Sequence, residues 1–343
     1  MRNASRCAAI VLAASLCCAS AISAQTSSSA NALLREAIAA PARVSYVGQV
    51  QDIQFGPSKS NATLYRIEHD APDLTRRWYV APQSLYGDFI ISRGDMSYDV
   101  DVKLDRVIVT KNDALDDQVA LDDNFGLLTN NYNAVVGPDQ TVAGRRTLTM
   151  LLVNKYTGQT VMRVWIDKQT KLLLQKERFA SNGSIAHQMR FEQLRYVKSL
   201  PKALFAVPSR GYRRVPGPSH GIPSNDLGRV VRAAGFRASG PKYLPEGFVP
   251  IAGSVSTVNG VRSLHLLYSD GIRTVSLFEN ARGAAVNLGS FTVHHATVEN
   301  NPANYVEDGP TTLLTWADEG LHFALVGELS RRELLKIATS VAP

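Results

Sequence analysis

One segment of the chain matches a catalytic motif. Residues 217–221, Gly-Pro-Ser-His-Gly, fit the G-x-S-x-G pattern of the nucleophile elbow, which holds a reactive serine on a strained turn between a strand and a helix. Here prolines flank the motif inside a stretch rich in proline and glycine, a composition that favours neither the strand before the serine nor the helix after it. The sequence therefore predicts no hydrolase site at Ser219.

Paired acidic residues are the next candidates for chemistry. Asp99 and Asp101 lie two apart on a predicted strand, so both side chains point to one face, as a general acid and base require. A solvated strand face explains the same pattern without catalysis. The pairs at residues 116–117 and 122–123 have the carboxylates for a hard cation, but they lack the alternating spacing and the glycine of a calcium loop. We expect neither set to form a catalytic or metal site.

The histidines do not form a recognisable metal motif. They are scattered along the chain without a His-Glu-x-x-His pair, and the adjacent His294 and His295 point to opposite faces of a predicted strand. A glycine-rich loop of the kind that cradles a phosphate is also missing from the sequence. These residues predict no metal, no cofactor and no enzymatic activity.

Aromatic side chains recur on the predicted strands of one strongly curved sheet. A sheet of about ten strands with few helices leaves an apolar concave side, and such a cavity can hold an acyl chain. The residues that we predict to line a lipid cavity are Tyr46, Trp78, Trp165 and Phe191. A plain hydrophobic core without a ligand is the alternative explanation of the same side chains.

The N-terminus is typical of a secretory signal peptide. Arg2 and Arg6 precede an apolar run that ends in small residues, which predicts export and cleavage after Ala21 or Ala24. All cysteines lie inside this segment, so we expect no disulfide in the mature chain, and no later stretch is apolar enough for a membrane helix.

The formal charge is +7, and removal of the two arginines leaves +5. This surplus favours anionic partners such as lipid phosphates or an acidic protein segment, and in an exported chain nucleic acid is not expected.

The rest of the chain divides into two strand-rich parts. After a helix over residues 31–41, short runs of β-branched and aromatic residues alternate with turn residues, which predicts an antiparallel meander. Residues 208–225 hold four prolines and three glycines, the composition of a linker. We predict an α+β protein: a signal peptide over residues 1–24, a large antiparallel unclosed β-barrel with helical cover over residues 25–207, the linker, and a smaller mixed α+β domain over residues 226–343.

One hairpin in the C-terminal part is specified clearly. Apolar residues alternate from Leu264 to Tyr268, a Ser-Asp-Gly turn interrupts them, and the alternation resumes at Val275. Because such a turn fixes the register of its strands, the neighbouring residues present a reproducible edge to a partner segment. The residues that we predict to bind a partner are Tyr268, Ser269, Asp270, Gly271 and Phe278. A simple division of these side chains between core and surface is the alternative.

Several segments together carry a resemblance to a known family. They are VSYVGQV after the first helix, VWIDKQTKLLLQKERFASNGSIAHQMRFEQL, YLPEGFVP, LHLLYSDGIRTVSLFEN and HFALVGELSRRELLKIATSV. With these segments, nearly the whole mature chain resembles the MucB/RseB family of periplasmic sigma-factor regulators. The N-terminal part is also similar, more loosely, to the half-barrels of lipoprotein carriers.

The resemblance implies a periplasmic binding protein without a catalytic role. In that family the protein binds the periplasmic segment of a membrane anti-sigma factor and shields it from the protease that starts envelope-stress signalling, and a lipid or lipopolysaccharide fragment competes with this binding. The alternative is a periplasmic carrier of lipids or lipoproteins without a role in transcription. A simple carrier has no need of the second domain, which favours the regulator.

Overall fold

The computed structural model describes residues 27–56, 59–111, 125–217, 221, 223–258, 260–281, 288, 291–308 and 310–341. The predicted signal peptide, the acidic pairs at residues 116–117 and 122–123, and the serine and histidine of the G-x-S-x-G motif lie outside this part of the chain. Among the described helices, none is both long enough and apolar enough to cross a bilayer.

The larger of two sheets has twelve strands. Their bounds are β1 Ser45–Phe55, β2 Ser60–Asp70, β3 Leu74–Ala81, β4 Phe89–Arg93, β5 Met96–Asp101, β6 Arg106–Lys111, β7 Tyr132–Val142, β8 Arg145–Asn154, β9 Thr160–Asp167, β10 Leu173–Phe179, β11 Ile185–Val197 and β12 Arg213–Pro216. In space they follow the order β12-β6-β5-β4-β3-β2-β1-β11-β10-β9-β8-β7. The order ends in two different edge strands, β12 and β7, so the sheet does not close on itself. The predicted large unclosed sheet is confirmed.

Helical cover lies over one side of this sheet. Helix α1, Ser27–Ile38, places Ala30, Leu34 and Ala37 at helical spacing, and all three are buried in one apolar cluster with residues of β7, β8 and β9. A second helix, α2, spans Phe125–Asn131 and leads directly into β7. The cluster packs α1 against the β7 end of the sheet.

The chain crosses back over the larger sheet after β11. A short 3₁₀ helix, Lys202–Phe205, buries Phe205, whose carbonyl accepts a hydrogen bond from the Arg93 guanidinium. The chain then adds β12 in parallel to β6, which makes β12 the one parallel strand of the described sheet. The Pro- and Gly-rich segment 208–225 thus contains an edge strand, and the predicted domain bounds stay a prediction.

The smaller sheet has seven antiparallel strands, and two helices pack on it. The strands are β13 Val249–Val258, β14 Val261–Ser269, β15 Thr274–Asn280, β16 His294–Val298, β17 Asn301–Asp308, β18 Thr311–Asp318 and β19 Leu321–Gly327, in the order β13-β14-β15-β19-β18-β17-β16. Helix α3, Leu227–Ala234, begins after the N-cap Asp226 and ends at Gly235, which adopts the left-handed conformation. Helix α4, Arg331–Thr339, begins after Ser330, whose hydroxyl accepts from the Glu333 backbone N–H. The predicted α+β class is confirmed.

Both helices pack on the same apolar cluster of the smaller sheet. Val230 of α3 and Leu334 of α4 are buried there together with Leu264, Val275 and Leu277 from the hairpin. In this hairpin Leu266 pairs with Leu277 and Tyr268 pairs with Val275, in the register that the alternating pattern predicts.

Candidate partner-binding site

The turn between β14 and β15 is held by its own side chains. Asp270 Oδ1 accepts hydrogen bonds from the backbone N–H groups of Ile272, at 3.0 Å, and Arg273, at 2.7 Å. Ser269 Oγ accepts from the Gly271 N–H at 2.9 Å and donates to the Arg273 carbonyl at 3.0 Å. Gly271 has a φ of 97°, which a side chain would strain. Side-chain and backbone groups within residues 269–273 therefore hold the turn in this conformation.

The same turn contacts the larger sheet through hydrogen bonds. Tyr132 Oη, at the start of β7, donates to Asp270 Oδ2. The neighbouring Asn131 Nδ2 donates to the Asp270 carbonyl at 2.9 Å and to the Gly247 carbonyl at 2.8 Å, and Tyr156 Oη donates to Asn131 Oδ1 at 3.1 Å. Burial and the Asp270 charge both raise the pKa of Tyr132, so its phenol stays protonated and remains a donor. The bonds of Tyr132 and Asn131 join one sheet to the other, and Tyr156 holds the Asn131 amide from the side of the larger sheet.

Apolar contacts complete this junction. Ile272 is only 8% exposed and belongs to the core cluster of the larger sheet, with Leu128 and Tyr132. A Cβ atom on Gly271 would lie 2.5 Å from the Leu128 backbone nitrogen, so there is no space for a side chain. We call this set, residues 128, 131 and 132 against residues 269–272, the sheet junction.

The predicted partner-binding residues lie in or beside the sheet junction. Tyr268, Ser269, Asp270 and Gly271 are buried, and Phe278 is partly exposed with its ring stacked on His265 at a centroid distance of 4.3 Å. Their contacts here are within the chain. Direct docking of a partner on the turn, which stays a prediction, would require the two sheets to separate.

A cleft opens between the two sheets. Residues 55–56, 180–182 and 184–186 of the larger sheet line it on one side; Glu307, Pro310, Thr312 and residues 328–331 of the smaller sheet line it on the other. An ion pair between Arg178 and Glu328 joins the two sides. Arg331 at the start of α4 donates to Tyr305 Oη at 2.6 Å, so its guanidinium is held in place. The cleft combines apolar walls, hydroxyl groups and oriented charges, which suits an extended peptide.

The Arg178–Glu328 pair is expected to stabilise the cleft in its present form. Both side chains are mostly buried, with 14% and 25% of their surface exposed, so loss of the carboxylate leaves a poorly solvated cation. Replacing Glu328 by alanine should lower the free energy of unfolding by about 1–2 kcal/mol, measured by urea denaturation. The exposed Glu307 lines the same cleft, and Glu307→Ala serves as the control. Equal effects of the two substitutions would contradict a role of the pair.

The structure brings together three of the four predicted lipid-cavity residues. Tyr46, Trp165 and Phe191 are buried in one cluster with Val50 and Leu174. The Tyr46 and Phe191 rings meet edge to face at 5.7 Å, and Trp165 Nε1 donates to Gln140 Oε1 at 2.7 Å. These contacts are those of packed core side chains, and their role as a lipid cavity stays a prediction.

Trp78 lies apart from that cluster. It is 39% exposed and stacks on Phe89 at 5.8 Å, with the Arg76 guanidinium 4.6 Å from its ring centroid. The next residue, Tyr79, points the opposite way and packs against Tyr65 at 5.9 Å. Of the two adjacent aromatics on β3, Tyr79 therefore contributes to the buried cluster.

Of the acidic candidates for catalysis, Asp99 and Asp101 lie in the described part of the chain, on β5. Burial raises the pKa of Asp99, with a smaller contribution from the charges of Asp88 and Asp101, while Asp101 forms an ion pair with Arg106 at 3.1 Å. Over the described part of the chain, no group of three His, Cys, Asp or Glu side chains is placed to hold a metal ion.

Two family models match the chain, one within the larger sheet and one within the smaller sheet. Residues 91–208 match the model of the MucB/RseB N-terminal domain, and residues 240–341 match a domain of unknown function, DUF4367. No curated protein sequence matches the chain.

Solved structures of MucB share the fold over nearly the whole chain. The complex of Pseudomonas aeruginosa MucA and MucB aligns with a TM-score of 0.65 and 16% identity, covering 92% of this chain and 99% of that chain. MucB in complex with MucA(peri) aligns at 0.63 and 16% identity, covering 92% and 98%. A crystal structure of MucB aligns at 0.51 and 14% identity, again covering 92% and 98%. The resemblance predicted from the sequence is confirmed: residues 91–208 match the model of the MucB/RseB N-terminal domain, and the chain shares the fold of MucB.

Proposed function

We propose that this protein is a periplasmic regulator that binds the periplasmic segment of a membrane anti-sigma factor. The observation that carries the proposal is the MucB fold, which spans 92% of the chain and includes both sheets. MucB itself has been crystallised with MucA, so a protein of this architecture binds a polypeptide partner. The role needs no catalytic group.

The cleft between the sheets is the surface that we propose for the partner. An extended peptide there would contact backbone and hydroxyl groups of the turn at residues 180–184 and the start of α4 at the same time. Because the two walls come from different sheets, the bound peptide would be covered on two sides. A protease needs its substrate strand exposed, so this binding mode would shield the partner from cleavage.

We further propose that an anionic amphiphile weakens this hold. The predicted mature chain has a charge of +5, and its paired arginines at residues 145–146, 213–214 and 331–332 suit phosphate or carboxylate groups. Arg331 lines the cleft, so a phosphate bound to it would compete with an acidic side chain of the partner.

Affinity capture tests the proposed partner. Residues 25–343 serve as bait for a detergent-solubilised envelope, with mass spectrometry as the readout. We expect enrichment of a single-span membrane protein that has a cytoplasmic sigma-binding domain. Recovery of lipoproteins or lipids alone would instead support the carrier.

A matched pair of variants tests the cleft in the same experiment. Ser181 is exposed and lines the cleft, so Ser181→Trp puts a large ring in the path of a peptide without disturbing a core. Ser209 is exposed outside the cleft, and Ser209→Trp controls for the added ring. The first variant should lose most of the captured partner and the second should retain it. Equal capture by both variants would place the partner elsewhere.

A further inference from the structure

A cluster of arginines marks a second surface on the smaller sheet. Arg229 and Arg232 lie three residues apart on α3 and therefore share one side of the helix. Arg237 follows the C-cap of the helix by two residues. Arg262, on β14, places Nη1 at 3.4 Å from the Ala233 carbonyl oxygen, next to the end of the same helix. We call these four side chains the arginine face.

The arginine face is exposed, and no acidic side chain of the described residues forms an ion pair with it. The opposite side of α3 packs on the core through Leu227, Val230 and Ala234, which directs the polar side to solvent. The nearest acid along the chain, Asp226, caps the helix by accepting from the Arg229 backbone N–H. Among the ion pairs of the described residues, none includes an arginine of this face. The C-terminus of a helix attracts cations, and at this end of α3 Arg262 already donates to the Ala233 carbonyl.

We propose that the arginine face docks on the surface of an anionic phospholipid bilayer. A guanidinium group forms two parallel hydrogen bonds with a phosphate, and several such groups on one exposed side fit a surface that presents many phosphates. Clusters of basic residues on an amphipathic helix are typical of proteins that bind acidic lipids. A single acidic peptide would satisfy fewer of the four groups at once.

The position of α3 leaves the cleft accessible during docking. Helix α3 contacts β13 and β14, whereas the cleft is formed by residues beside β17, β18 and the start of α4. In the order of the smaller sheet, β13 and β14 lie at one end and β17 lies near the other. Membrane docking is therefore independent of partner binding and does not rest on the proposed regulation.

Vesicle co-sedimentation tests the docking surface. The full mature protein is mixed with vesicles of phosphatidylcholine, with or without phosphatidylglycerol, at low and at physiological salt. We expect binding only to the vesicles that contain phosphatidylglycerol, and weaker binding as salt is raised. The variant Arg229→Ala/Arg232→Ala/Arg237→Ala should bind about 100-fold more weakly, which is about 5-fold for each arginine. Arg262 is kept because of its contact with the helix.

A charge-matched variant separates the surface from the overall charge. Arg66, Arg195 and Arg210 are exposed and lie away from α3 and β14, so replacing these three by alanine removes the same charge. This control should keep its vesicle affinity within about 3-fold of the unmodified protein. Equal weakening in the two triple variants would overturn the proposal, as would a lack of binding of the unmodified protein at low salt. Binding to polyglutamate but not to vesicles would also overturn it and would indicate an acidic protein partner.

Discussion

Replacing Asp270 by alanine is expected to lower the free energy of unfolding by about 3 kcal/mol. The carboxylate is buried and accepts from two backbone N–H groups of its own turn and from the Tyr132 hydroxyl of the other sheet. Alanine would leave the phenol buried without its acceptor and would free the turn to adopt other conformations. Urea denaturation followed by fluorescence measures the loss.

A double-mutant cycle shows how much of this effect belongs to the sheet junction. Tyr132→Phe removes only the phenolic oxygen, so the coupling between the two substitutions reports the hydrogen bond between the sheets. We expect a coupling energy of about 1–2 kcal/mol. Asp318, the partly exposed last residue of β18, provides the control, and Asp318→Ala should cost under about 0.5 kcal/mol. If Asp270→Ala and Asp318→Ala cost the same, the junction does not depend on Asp270.

The second large effect concerns pH and one buried carboxyl group. Glu279 is fully buried on the core side of β15; its Oε2 accepts from the Ser239 N–H at 2.9 Å, and its Oε1 has no hydrogen-bond partner among the described residues. Burial raises the pKa of Glu279 from 4.5 to about 7. The native state thus holds the proton more tightly than the unfolded chain.

The sign of the pH dependence follows from this difference. Below the unfolded pKa of 4.5, Glu279 is protonated in both states and its burial carries no charge. As pH rises through about 7, the native carboxyl group must ionise in the core, so the free energy of unfolding falls by up to about 3 kcal/mol between pH 5 and pH 8. The charge of Glu279 also acts on Tyr268. Burial raises the pKa of Tyr268, and the Glu279 charge raises it too, so the phenol stays protonated in this range.

Glu279→Gln tests this account directly. Glutamine keeps the shape of the protonated acid without ionising, so the variant should lie within about 1 kcal/mol of the unmodified protein at pH 5 and be more stable by about 3 kcal/mol at pH 8. Urea denaturation at both pH values gives the comparison. Glu307→Gln, on an exposed site of the same sheet, should leave the pH dependence unchanged. A Glu279→Gln variant that retains the full loss of stability between pH 5 and pH 8 would show that another group is responsible.

The β14–β15 hairpin could be predicted from the sequence because its determinants are local. The alternation of Leu264, Leu266 and Tyr268 indicates which side chains share a face of the strand. The Ser-Asp-Gly turn sets the register between the two strands. Both features depend on residues within a few positions of one another.

The position of that turn in the sheet junction could not be predicted. A Ser-Asp-Gly turn is polar and is typical of exposed loops, yet here it is buried against a tyrosine 138 residues away in the chain. Nothing near Tyr132 indicates that its hydroxyl needs a carboxylate. Contacts at such separation arise from the packing of the two sheets, which no local pattern encodes.

Two strands also depend on tertiary pairing more than on propensity. Strand β12 ends in Pro216 and lies at an edge, where a proline is tolerated. Strand β17 contains Pro302 and two asparagines but pairs with a neighbour on each side. The sequence pattern predicts neither β12 nor β17, because the residues that stabilise these two strands belong to the strands paired with them.

We propose that the protein shields a partner by binding it between its two sheets. The most direct measurement follows cleavage of the captured partner's periplasmic segment by the membrane protease, with and without an equimolar amount of this protein. We predict that the unmodified protein and Ser209→Trp slow the cleavage, and that Ser181→Trp does not. Cleavage at the same rate with and without the unmodified protein, under conditions where the complex is shown to form, would contradict the account.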